Sequence, residues 1–224
     1  MSATEATEAP PGPPERLPLF PLTGALLLPR GQLPLNIFEP RYLQMVEHAM
    51  AGDRFIGMVQ PTEHEDSVAC PALYGVGCAG RITSFEESDD GRYLISLSGR
   101  SRFRIVEEME MTTLYRQARV SYLPFAADLA TPEGAGAAEI DRERLLMALR
   151  AYLRHEGSKV DWGGLEHLDA AALVTSLAMA CPFEPSEKQA LLEAGSLSDR
   201  ARALTTLIEM AALSITAGAS TASQ

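Results

Sequence analysis

Apolar positions recur every second residue along the first half of the chain and every third or fourth along the second half. Residues 17–22 are apolar but broken by Pro18 and Pro21, which suits an edge strand, because proline donates nothing to a ladder. Leu26, Leu27 and Leu28 predict a short strand ended by Pro29, and Gly31 predicts a turn. Leu33, Leu35 and Ile37 alternate in a further extended piece. Pro40 opens a predicted helix over 40–50, with Tyr42, Met45, Val46 and Ala49 on one face and Gly52 at its close. Strands are predicted at 54–59 and at 76–85, where Gly77 and Gly80 mark a bulge or a close backbone approach. The turn 88–91 leads to a strand in which Tyr93, Ile95 and Leu97 alternate. Gly99 predicts another turn, Phe103, Ile105 and Val106 the next strand, and 115–123 the last.

The second half reads as helices. Ile140, Leu145, Leu146, Leu149, Tyr152 and Leu153 line one face, and Gly157 ends that helix. Residues 158–166, with Trp162, read as a loop. Asp169 caps a helix that buries Leu173, Leu177 and Ala178 and stops at Pro182. Ser186, with Gln189 three residues on, has capping-box spacing for a short helix. Ser198 or Asp199 caps the last one, whose core face is Leu204, Leu207, Ile208 and Ala211. The expected organisation is α+β: a disordered tail over 1–15, a β domain with one helix over 16–124, a linker over 125–138, a helical bundle over 139–216 and a disordered tail over 217–224.

Charge narrows the function classes. The net charge is −11, and Glu63, Glu65, Asp66, Glu86, Glu87, Asp89 and Asp90 face only Arg81 and Arg92 in their stretch. Such a surface repels phosphate backbones, so no nucleic-acid partner is expected. No run of eighteen apolar residues occurs and the first residues carry no basic, apolar leader, so the expected place is the cytoplasm, with no membrane partner. The odd set Cys70, Cys78 and Cys181 reads as small buried residues, not a disulfide framework.

Candidate chemistry is sparse. None of the four histidines forms an HExxH pair, and the only metal idea, His64 with Cys70, Cys78 and Asp66, has no recognised spacing. No GxSxG elbow, P-loop or GxGxxG is present. Of the two lysines, Lys188 reads as a solvated helix-surface residue. The expectation is therefore no catalytic residue, no metal and no cofactor. Arg100, Arg102 and Arg104 share one face of a regular strand and are candidate contacts for anions or carboxylates, with Glu107, Glu108 or the acidic loops as partners.

Residues 16–60, RLPLFPLTGALLLPRGQLPLNIFEPRYLQMVEHAMAGDRFIGMVQ, resemble the opening of the Lon-protease N-terminal domain family, with matches at 17–22, 29–31 and 34–42. The likeness continues through VGCAGRI at 76–82, DGRY at 90–93, GRSRFRI at 99–105 and the helical segments around 177–182, 187–193, Arg200 and 204–207. The resemblance implies a PUA-like β-barrel joined to a small helical bundle. It also implies a standalone, non-enzymatic polypeptide-binding module, because no ATPase or Ser-Lys protease segment follows in this sequence. The candidate polypeptide contacts are Leu33, Leu35, Ile37, Phe38 and Tyr42. The alternative is an RNA- or nucleotide-binding PUA-like protein.

Overall fold

A computed structural model describes residues 12–62, 70–130, 140–156 and 162–221. His64, Asp66, Gly157 and most of the expected tail and linker residues lie outside these. The strands are β1 (Arg16–Pro21), β2 (Gln32–Ile37), β3 (Phe55–Val59), β4 (Val76–Glu87), β5 (Tyr93–Glu108) and β6 (Gln117–Ser121). The helices are α1 (Pro40–Ala51), α2 (Arg142–Glu156), α3 (Trp162–His167), α4 (Ala170–Ala180), α5 (Pro185–Glu193) and α6 (Leu197–Thr221), with a 3-10 helix at Leu123–Leu129.

The expected barrel is not what the strands build. They form one six-stranded mixed sheet in the order β2-β5-β4-β3-β1-β6, with β2 at an open edge. All neighbours are antiparallel except β1 and β3. The cause is the length of β5. Its first half carries β2, from Gln32 opposite Ser98 to Ile37 opposite Tyr93. Its second half pairs with β6, from Arg104 opposite Ser121 to Glu108 opposite Ala118. The sheet curls where β5 meets β6, yet β2 gains no second neighbour.

Gly99 lies inside β5 and makes no turn. An added Cβ there would meet the Leu28 carbonyl oxygen and come 2.8 Å from its carbon, so glycine serves a close backbone crossing. Gly77 and Gly80 behave as expected. The register shifts between Ala79 and Gly80, and a Cβ on Gly77 would press on Met58 and Phe103. Leu26, Leu27 and Leu28 are buried but form no strand. The turn after them puts Arg30, not Gly31, in the left-handed region (φ 67°), with the Gly31 N–H donating to the Leu28 carbonyl.

Two apolar clusters hold the fold. Leu17, Leu19, Phe55, Val59, Ala79, Phe103, Ala118 and Val120 fill the inside of the curled end. The larger cluster joins the other sheet face to α1 and the helices, through residues such as Ile56, Met58, Leu97, Met45, Leu145, Leu173, Leu191 and Leu204. β3 is buried along its whole length because Phe55 and Val59 face one cluster and Ile56 and Met58 the other.

Helix ends differ from expectation in three places. Trp162 begins the short helix α3. The α5 start is Glu184, whose N–H donates to the Glu187 carboxylate at 2.9 Å, because Pro185 takes the first helical position ahead of Ser186. At α6 the cap is Ser196, whose hydroxyl oxygen accepts from the Asp199 N–H at 3.0 Å. Asp169 caps α4 as predicted, accepting from the Ala172 N–H at 2.7 Å.

Lys188 is buried and not solvated. Its Nζ donates to the Gly24 carbonyl at 2.7 Å, and burial pulls its pKa below the ordinary lysine value. Gln189 donates to the Val76 carbonyl at 3.1 Å, so α5 is tied to the sheet by polar side chains as well as leucines.

Candidate functional site: a groove between the edge strand and α4

β2 has the sequence QLPLNI, in which Leu33, Leu35 and Ile37 turn toward the core and Gln32, Pro34 and Asn36 toward solvent. α4 buries Leu173, Val174, Leu177 and Ala178 on one side. Its other side carries small residues at helical spacing, Ala171, Ala172, Thr175 and Ser176, followed by Met179. These two elements bound a groove of about 630 Å³. Arg30, Gly31, Gln32, Leu33 and Pro34 line it consecutively. Residues of both strand faces contribute, consistent with a space running along the strand's margin. Gly31 and Met179 meet at one end, and a Cβ on Gly31 would collide with the Met179 sulfur. The volume lies in the range of ligand-binding clefts, and the flexible thioether suits a wall that adapts to varied side chains.

The predicted polypeptide contacts separate. Leu33 lines the groove and Leu35 packs partly buried beneath the same strand. Ile37 and Tyr42 are core residues, 2% and 4% exposed. Phe38 is 61% exposed beyond the end of β2, with the Arg92 guanidinium 5.7 Å from its ring centre.

The three arginines also separate. Arg100 and Arg104 are exposed, while Arg102 is buried. Arg102 makes a two-pronged pair with Asp128, Nε to Oδ2 at 2.8 Å and Nη2 to Oδ1 at 3.0 Å. Its backbone N–H donates to the same carboxylate at 3.0 Å. Nη1 donates to the Leu192 and Ala194 carbonyls at 3.1 and 2.7 Å, closing the end of α5. The guanidinium also lies 4.6 Å from the Phe125 ring centre. Asp128 belongs to the stretch read as a linker, so its role was not visible in the sequence, and Glu107 instead pairs with Arg119 and Glu108 with Arg116. A second guanidinium, Arg200, is buried nearby. It donates from Nε to the Leu191 carbonyl at 2.8 Å, and its Nη2 has no hydrogen-bond partner among the described residues. Burial and the Arg102 charge pull its pKa down to about 10.

Cys70 is exposed, contrary to the expected burial, whereas Cys78 and Cys181 are buried. Among the described residues no group of three or more His, Cys, Asp or Glu gathers to hold a metal ion. Burial, with the Asp128 charge second, pushes the Cys78 thiol far above its ordinary value of 9.0. The unfolded chain releases this proton near pH 9 and the folded chain keeps it, so the folded state loses ground as pH rises. Above pH 9 this one group should lower stability by about 1.4 kcal/mol per pH unit. Urea melts across pH 8–10 check this: Cys78→Ala should show a shallower decline than the parent. Parallel declines would refute it.

Comparison with known proteins places this architecture. The chain is 27% identical over 87% of its length to a Lon protease of Syntrophus aciditrophicus, covering 25% of that protein. It is 25% identical over 91% of its length to Lon protease 2 of Sorangium cellulosum, covering 26% of it. The chain thus spans about a quarter of the length of these curated relatives. Among solved structures, the Lon N-terminal domain protein of Xanthomonas campestris aligns over 86% of this chain and 96% of its own, at 25% identity and a TM-score of 0.56. The N-terminal domain of a Mycobacterium avium complex Lon protease aligns over 86% and 97% at a TM-score of 0.56, and its 15% identity speaks for the fold alone. Residues 16–210 match the family described as the ATP-dependent protease La (LON) substrate-binding domain, and the chain belongs to that family.

Proposed function

We infer that this chain is a non-catalytic module that binds polypeptide segments in the groove between β2 and α4. The observation that carries the reading is the groove itself: an apolar trough whose floor includes Leu33 and whose helical wall is kept low by alanine, threonine and serine. Burying apolar side chains there supplies affinity with little demand on sequence. The name of the matched family, a substrate-binding domain, agrees with this use. No helix among the described residues is long and apolar enough to cross a membrane. The cytoplasm is part of this proposal.

Filling the trough tests the reading. Ala172→Trp adds a bulky side chain to the α4 wall without touching the face that buries Leu173 and Leu177. Binding of a fluorescently labelled, carboxymethylated unfolded protein should weaken about tenfold or more, with the melting temperature within a few degrees of the parent. Unchanged affinity would place client binding elsewhere.

A further inference from the structure

We propose that the bound segment is captured as an added β-strand on the open edge of β2, and that it is an extended apolar segment with a basic residue at the end lying near Ile37. This rests on the groove reading and gives it a geometry. In the β2–β5 ladder, Gly99 accepts from the Arg30 N–H at 2.8 Å and donates to the Gly31 carbonyl at 2.9 Å. Antiparallel strands alternate between bonded and non-bonded pairs. From Gly31 the alternation turns the backbone groups of Leu33, Leu35 and Ile37 toward β5 and those of Gln32, Pro34 and Asn36 toward the open edge. Pro34 fits only the second set, because it has no N–H to give β5. The edge therefore offers two donors, on Gln32 and Asn36, and three carbonyl acceptors. Gln32 and Pro34 border the space that α4 roofs, and Asn36 continues the same edge just beyond it.

A strand laid between a sheet edge and a helix gains main-chain hydrogen bonds on one side and apolar contact on the other, a recurring way of holding peptides. The two donors are four residues apart, so an occupant of at least about five extended residues engages both. Charge sets its flank. Ile37 lies opposite Tyr93, and Tyr93 opposite Glu87, so the β4–β5 hairpin adjoins that end of β2. Glu86, Glu87, Asp89 and Asp90 are all exposed there, against Arg92, which pairs with Asp90 at 2.8 Å. Lysine or arginine on the occupant meets this acidic end favourably.

The test uses the full chain and a labelled nonapeptide of alternating valine and threonine ending in two lysines, followed by fluorescence anisotropy. Asn36→Pro deletes one outward donor that the fold does not use, while Asn36→Ala keeps it. The proline variant should bind about tenfold more weakly and the alanine variant within twofold of the parent. On the parent chain, peptides N-methylated at successive positions should lose affinity at alternate residues, a readout independent of how the variants fold. Exchanging the lysines for glutamates should weaken binding in a salt-dependent way. Parent-like binding by Asn36→Pro, or an N-methyl profile without alternation, overturns strand addition and leaves the groove reading standing. No binding of the peptide or of unfolded protein by the parent overturns both.

Discussion

Replacing Asp128 with asparagine is expected to destabilise the fold by about 3–5 kcal/mol, the usual cost of removing one partner from a buried ion pair. The side chains of Arg102 and Asp128 are only 7% and 11% exposed, so water cannot take the carboxylate's place. The loss also reaches beyond the pair. Arg200 is buried close by, and the Asp128 charge favours its cationic form while Arg102 opposes it. Without the carboxylate, two guanidiniums share one dry region. The connection 123–129 would lose its hold on β5, and the end of α5 would be left to an arginine with no counter-charge. Urea denaturation followed by far-UV circular dichroism measures the effect. Arg102→Met combined with Asp128→Asn should recover part of the loss, since the unpaired charge is then gone, but not the caps on Leu192 and Ala194. A change below about 1 kcal/mol in the single variant would show that the pair contributes little net stability.

Gly99→Ala is the second large effect, expected at about 3 kcal/mol or somewhat more. Its added methyl falls on the Leu28 carbonyl, and backbone cannot rotate aside as a side-chain tip can. An alanine in a strand interior normally gains about 0.5–1 kcal/mol over glycine, so the steric cost must first cancel that gain. Gly99 also holds the start of β2 through the Arg30 N–H and the Gly31 carbonyl. Displacing it should therefore pull the edge strand away from α4 and weaken polypeptide binding along with stability. Thermal melting and the anisotropy assay, run on the same sample, separate this variant from Ala172→Trp, which should change binding alone. An alanine variant as stable as the parent would mean that segment 26–30 can yield at little cost.

These two positions also mark where sequence reading succeeds and where it stops. Alternation in Tyr93, Ile95 and Leu97 and the three-to-four spacing of Tyr42, Met45, Val46 and Ala49 reported strand and helix correctly, because each pattern is set by neighbours a few residues away. Glycine is ambiguous at the same range. It permits a turn and it permits a close crossing, and at Gly99 only the distant Leu28 backbone decides between them. Arg102 shows the same limit: its partner lies 26 residues on, in a stretch with little else to signal structure. The local sequence around Lys188 reads as a solvated helix surface, and the acceptor that buries it, the Gly24 carbonyl, lies 164 residues away. The groove joins β2 to a helix more than a hundred residues later, so its walls are legible separately and their meeting is not. The small residues on the unburied side of α4 and the proline in an outer strand are local features of its two walls, and neither by itself says that the walls meet.

An open strand margin that welcomes foreign chains is equally on offer to copies of the same chain. Pro34 puts a gap in the middle of that margin, where no donor is available to a like-for-like neighbour. Two such margins brought together would each face the other's missing bond, so stacking copy upon copy is frustrated at its first step. The same residue that limits how tightly a visitor is held thus also weakens pairing between copies of this edge.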